Sequence, residues 1–175
     1  MQNFNHERLT ISISVNRLSR VALSAAFAYT LQRTAFSRTL ISQPVVRHRL
    51  ALCGAQLEAH WALIEHYTYM LTRLSGSEAS QELGGLTALA KAQAGQVLEL
   101  CAGTSVLLFG GNGYTRSGLG EVVERIWREV PGARIPGGSE DVMLDLAVRQ
   151  LVKNFERKTR ELEAERGRRA GGSKL

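Results

Sequence analysis

Leu107-Leu108-Phe109-Gly110-Gly111-Asn112-Gly113-Tyr114 closes a long apolar helical pattern with three glycines in four positions. Glycine at such an end lets the backbone turn sharply and come close to something flat or anionic, because no Cβ stands in the way. Taken alone, a cluster of this kind is most often a helix stop followed by a tight turn. A second pair, Gly137-Gly138, follows about one short helix later and itself opens a helix. Two glycine-rich helix ends together suggest a ligand.

Helical stripes extend from this stretch in both directions. Leu86, Ala90, Ala94, Val97, Cys101 and Leu108 lead into it as one helix. Earlier in the chain, a first helix is expected from about His6 to Arg33, because Ile11, Val15, Leu18, Ala22, Ala25 and Tyr29 recur at steps of four and three. The segment Ala35 to Gln43 has no stripe and leads to Pro44, a residue suited to the first turn of a second helix. That helix carries Val46, Leu50, Cys53, Leu57, Trp61, Ile64 and Leu71 until Gly76 ends it, and Ser77 to Gly85 reads as a polar connection. After the glycines comes a short amphipathic helix with Val122, Val123, Ile126 and Trp127 on one side, stopped by Pro131-Gly132. Ser139 suits the cap of a last helix, with Glu140 and Asp141 favourable in its first turn and Leu144, Val148, Leu151 and Phe155 on its buried side. No segment alternates with period two over a useful length. The expected fold is all-α, an antiparallel four-helix bundle with one additional short helix.

With 175 residues, 44% of them hydrophobic, the chain can bury one real core and no more. No apolar run of 18 residues suggests a transmembrane helix, and Met1 to Glu7 lack the regions of a secretory signal, so a soluble chain is expected. Cys53 and Cys101 lie on apolar helical faces far apart in sequence, which fits reduced core residues better than a disulfide, a metal site or a catalytic thiol. The net charge of +6 comes largely from seven cations in the last twenty residues, interspersed with Glu156, Glu161, Glu163 and Glu165. That mixture reads as a charged, flexible tail over 156–175 rather than a nucleic-acid surface.

Five motifs in order resemble the carboxy-terminal helical domain of acyl-CoA dehydrogenases over roughly residues 3 to 155. They are Phe4-Asn5-His6-Glu7-Arg8-Leu9, Arg33-Thr34-Ala35-Phe36, Leu108 to Tyr114, Val123 to Glu129, and Ala133 to Ser139 with the helix ending Val148-Arg149-Gln150-Leu151. The resemblance implies α,β-dehydrogenation of an acyl-CoA thioester: a carboxylate removes the α-proton while the β-hydrogen leaves as hydride to FAD. In many members that carboxylate stands in the loop before the last helix, where this chain has Gly137. In a branch resembling the isovaleryl-CoA and long-chain enzymes it lies on the first helix, at the position of Glu7. Glu7 is then the expected base, with the backbone N–H of Gly137 able to donate to the thioester oxygen, since such a donor needs no side chain.

By the same resemblance, Phe4, Asn5 and Arg8 contact the substrate. Arg33, Phe36, Gln43, Gly110, Gly111, Gly138, Ser139 and Asp141 contact FAD, some of them the flavin of a neighbouring subunit. A homo-oligomer, dimer or tetramer, is implied, with an electron-accepting flavoprotein or oxygen as oxidant and no metal. Leu107 stands where many members have a flavin-contacting glutamine, Ser139 replaces a threonine, and Pro131 breaks a basic position after Arg128-Glu129. Family members are more than twice this long, so the 175 residues alone are expected to be inactive. An acyl-CoA oxidase, or a non-catalytic helical module that joins full-length subunits, are the alternatives. Ser173-Lys174-Leu175 matches the peroxisomal address and predicts that compartment.

Overall fold

Ser75-Gly76-Ser77-Glu78 starts the longest helix. The Ser75 hydroxyl accepts from the Glu78 N–H at 3.5 Å and the Ser75 N–H donates to Glu78 Oε2 at 3.0 Å, a reciprocal capping box. Gly76 therefore opens α3 (Gly76–Phe109) instead of ending α2 (Pro44–Arg73), and the expected connection Ser77–Gly85 is helical. The cap, together with buried Ala79 and Leu83 at helical spacing, outweighs the polarity of those residues. In this computed structural model, which describes residues 2–171, the helices α1 (Gln2–Gln32), α2 and α6 (Glu140–Gly171) pack around α3 as an antiparallel four-helix bundle. The Ser173-Lys174-Leu175 signal lies outside the described residues.

By length and composition α3 could cross a membrane, yet Leu83, Leu98 and Cys101 on it are buried against neighbouring helices. Its first half is thin. A Cβ on Gly85 would stand 2.9 Å from the Ala147 carbonyl oxygen, so α6 crosses backbone to backbone, cushioned by Ala88, Ala92, Met143 and Ala147. The second half packs Ala94, Leu98 and Ala102 against Val15 and Ala22 of α1, and against Ile126 and Val130 of the short helices α4 (Glu121–Arg128) and α5 (Val130–Arg134). α4 ends at Arg128, just ahead of the expected stop, and the first turn of α5, begun by Val130, holds Pro131. Its ring tolerates a first-turn position, and buried Val130 ties that turn into the core.

Two faces are rotated from their expected register. On α1 the fully buried line includes Ser12, Asn16, Ser19 and Thr30, while Ile11, Leu18, Ala25 and Tyr29 flank it half-buried. Ser12, Ser19 and Thr30 return their hydroxyls to helix carbonyls at 2.8–2.9 Å, which makes them small and satisfied enough for a close interface. On α6 the buried residues are Met143 and Ala147, whereas Val148 and Phe155 are 60% and 73% exposed and Leu144 and Leu151 only partly covered. Close approach at Gly85 puts the small Ala147 at the crossing, with flexible Met143 beside it, and turns Val148 and Phe155 outward. The tail from 156 is helical as far as Gly171, anchored where Arg157 and Lys158 pair with Glu82 of α3.

Between α1 and α2, Thr34–Ala35 (β1) pairs antiparallel with Arg38–Thr39 (β2), a minimal hairpin where sheet content was expected to be close to nil. Its two turn residues, Phe36 and Ser37, have φ of +54° and +64°. Both positive values give the primed turn that matches strand twist, a conformation costly for side chains other than glycine, asparagine and aspartate. Phe36 is held at the tip, 93% exposed.

Candidate functional site

The loop between α5 and α6 carries the second glycine pair, and it is fixed from below by a lysine. Lys91 of α3 is 2% exposed, and its ammonium donates to the carbonyls of Arg134 (2.6 Å) and Gly138 (2.5 Å). Burial lowers its pKa from the ordinary lysine value. Glu140 opposes that shift, and Arg134 and Arg8 add to it. Arg134 in turn pairs with Glu99 and Glu140 at 2.5 Å each, and Glu140 also accepts from Gln96 at 2.6 Å. The Gln96 bond leads in holding the Glu140 carboxyl below its usual range, ahead of Arg134.

Gly137, at φ +74°, faces α1. A Cβ there would lie 2.7 Å from Ile11 Cδ1, and Glu7 stands one turn earlier on the same side of α1. Glu7 itself is exposed. Gly138, at φ +108°, leaves no room for a Cβ against the Met143 side chain. Asn5, buried, and Arg8, half-buried, continue the face of α1 toward its start. Asn5 Oδ1 accepts from Thr87 at 3.3 Å, while Arg8 Nε is buried without a hydrogen-bond partner. Burial lowers the Arg8 pKa, and Glu7 opposes the shift.

At the other end of α1, the first glycine cluster forms a cleft of about 390 Å³ with Tyr29 and Arg33. Tyr29 stacks on Phe109 with ring centroids 4.2 Å apart, and Asn112 Nδ2 donates to the Tyr29 hydroxyl at 3.1 Å. Gly110 has φ +59°, and a Cβ at either Gly110 or Gly111 would point into open space. The bare backbone beside an exposed guanidinium suits a planar or anionic group at close range.

A sequence model of the family described as acyl-CoA dehydrogenase, C-terminal domain, matches residues 1–152. The chain belongs to the acyl-CoA dehydrogenase family. It is 60% identical over 162 residues to the acyl-CoA dehydrogenase apdG of Emericella nidulans, covering 93% of this chain and 37% of that protein. It is 36% identical over 159 residues to the acyl-CoA dehydrogenase AFT10-1 of Alternaria alternata, covering 90% and 37%. Among solved structures, a putative acyl-CoA dehydrogenase from Mycobacterium smegmatis superposes with a TM-score of 0.76 at 26% identity, over 85% of this chain and 37% of the other. A probable acyl-CoA dehydrogenase from Mycobacterium abscessus shares the fold, with a TM-score of 0.77 at 24% identity over 86% and 38%. The chain thus spans somewhat more than a third of the length of these acyl-CoA dehydrogenases.

Of the site residues expected from sequence in this acyl-CoA dehydrogenase domain, Arg33, Gly110 and Gly111 share the cleft at the end of α1. Phe36, at the hairpin tip, and Gln43, the residue before α2, do not line it. Gly137 and Gly138 lie in the loop that Lys91 holds, and Glu7 is exposed on α1 one turn before the Ile11 that abuts Gly137. Ser139 and Asp141 are exposed at the start of α6, where the Ser139 carbonyl accepts from the Met143 N–H at 2.9 Å. Phe4, Asn5 and Arg8 line one groove. Lys91 was missed because a lone lysine in Leu89-Ala90-Lys91-Ala92 reads as a solvent-facing position. Asn16 and His60 were missed for a similar reason. The fully buried His60 donates from Nε2 to the Ala90 carbonyl at 3.0 Å and accepts from Asn16 Nδ2 at Nδ1, 3.1 Å away, binding α1, α2 and α3 together next to Lys91.

Proposed function

We propose that the chain is the carboxy-terminal helical part of an FAD-dependent acyl-CoA dehydrogenase that forms an α,β double bond in a fatty or branched-chain acyl-CoA thioester. The observation that carries this reading is the pairing of Gly137 with α1. The loop position that bears the carboxylate in many members is bare here and abuts Ile11, one turn from Glu7. Glu7 takes the α-proton from the thioester, and the Gly137 N–H donates to the carbonyl oxygen as charge develops on it. The Lys91 bonds keep that N–H in place. Arg33, Gly110 and Gly111, which share one cleft, and Ser139 and Asp141, exposed at the start of α6, would hold FAD. FAD, when bound, supplies the acceptor for the β-hydride.

Glu7 is exposed in this chain, and the proposed chemistry requires that it be shielded from water in the working protein. A carboxylate is a stronger base when water is excluded. In a protein of the relatives' length, Glu7→Gln is expected to lower turnover by about a thousandfold, the scale of a positioned base, with flavin absorbance and acyl-CoA binding intact. Undiminished turnover refutes the assignment. Peroxide release during turnover would identify oxygen as the oxidant and make the protein an oxidase. A chain isolated from its source at 19.2 kDa without flavin would instead support the non-catalytic module.

A further inference from the structure

The groove that Phe4, Asn5 and Arg8 line holds about 710 Å³ and is closed on its far side by α6 beyond residue 152, where the family match ends. Lys153, Arg157 and Arg160 stand on that wall, so with Arg8 four cations surround the space against one carboxylate, Glu161. Arg157 is already held by Glu82 and Glu161. Lys153 and Arg160 form no ion pair among the described residues, and both are exposed. Arg8 Nε is a buried donor without an acceptor, a deficit that a ligand oxygen would relieve. Phe4 and Leu146 add apolar surface between the charges.

These features describe a ligand with several anionic oxygens joined to a less polar body, lying against the start of α1. Glu7 sits between Asn5 and Arg8 in the chain, so the groove adjoins the place where the thioester must react. We propose that the extended end of α6, through Lys153 and Arg160, binds the phosphate-bearing nucleotide end of acyl-CoA. Asn5 and Arg8 guide the linking arm toward Glu7. The inference rests on the acyl-CoA reading above and adds residues beyond the family match to the substrate site.

The test uses the 175-residue chain with coenzyme A and pantetheine as probes, titrated by calorimetry at low salt. Wild type should bind coenzyme A more tightly than pantetheine, with an affinity that falls as salt rises. Lys153→Gln with Arg160→Gln should weaken coenzyme A binding about tenfold, the product of two roughly threefold losses expected of exposed charge contacts. Pantetheine binding should not change. Both side chains are exposed, and matching thermal melts of variant and wild type confirm the fold. Equal coenzyme A affinity in the two proteins overturns the inference and leaves the acyl-CoA reading standing. A wild-type chain that binds neither probe also overturns the inference, while the acyl-CoA reading, which concerns a protein of the relatives' length, is decided separately by the Glu7→Gln variant.

Discussion

Two adjacent buried glycines on α3 should respond in opposite directions to the same substitution. At Gly84 an added methyl would meet its nearest neighbours, Asn5 Oδ1 and Gln150 Cγ, at 3.9 and 4.0 Å, ordinary contact distances. Gly84→Ala then keeps the helix-propensity gain of about 1 kcal/mol. At Gly85 the methyl would lie 2.9 Å from the Ala147 carbonyl oxygen and 3.3 Å from both Gln150 Cβ and Leu151 Cγ. The first of these is backbone and cannot swing aside, so α6 must shift. Overpacking of this kind costs about 2 kcal/mol, which exceeds the propensity gain and leaves Gly85→Ala about 1 kcal/mol less stable than wild type. The two variants then differ by about 2 kcal/mol, or about 6 °C in midpoint for a domain of this size. Thermal melts of the three proteins, followed by circular dichroism at 222 nm, decide the matter. If Gly85→Ala melts above wild type as Gly84→Ala does, α3 and α6 are not in backbone contact and the account of the α6 register fails.

The remaining expectations concern the buried polar groups. Burial, only partly offset by the Ala90 bond, holds the His60 pKa below its ordinary 6.5. The unfolded chain therefore takes up a proton as pH falls below about 6.5 that the folded chain refuses, and stability should fall by up to about 1.4 kcal/mol per pH unit in that range. Urea midpoints at pH 7 and pH 5 should differ less in His60→Gln than in wild type; equal slopes would place the pH sensitivity elsewhere. Lys91→Met leaves the Arg134 and Gly138 carbonyls without their shared donor, partly offset by release of a buried charge. It should cost about 2 kcal/mol and speed amide exchange over 134–138. Unchanged exchange there would mean that the loop holds itself.

The number of long helices and the glycine-rich turns were legible because they depend on local rules: periodicity, a proline at a helix start, and glycine where φ is positive. Two helix faces were not. Hydropathy points to Val148 and Phe155 as the inner side of α6, but the approach permitted by Gly85 of α3 selects Ala147 instead, and that choice is set by a residue some sixty positions away. The start of α3 shows the converse. Its Ser-x-x-Glu signature was present in the sequence and was overridden by reading Gly76 and Gly84-Gly85 as breakers. For the site, motif resemblance picked out Arg33, Gly110 and Gly111, which do converge. It could not find Lys91 or His60, because a buried polar side chain is recognisable only by the partner that satisfies it.

The Lys91 anchor bears on how a reactive group can change its address. It grips the loop through main-chain oxygens at Arg134 and Gly138 and touches no side chain of residues 135–137 in doing so. The loop's course is thereby uncoupled from what those residues carry. Over position 137 the tightest neighbour among the described residues is Ile11, from the same helical face as Glu7, with Lys91 Cε at ordinary contact distance. On the proposed reading, a carboxylate delivered by the loop and one delivered by the helix would serve the same thioester from neighbouring positions. On that reading, exchanging them would need changes at 7 and 137 and relief of the Ile11 contact, with the loop backbone still held by Lys91.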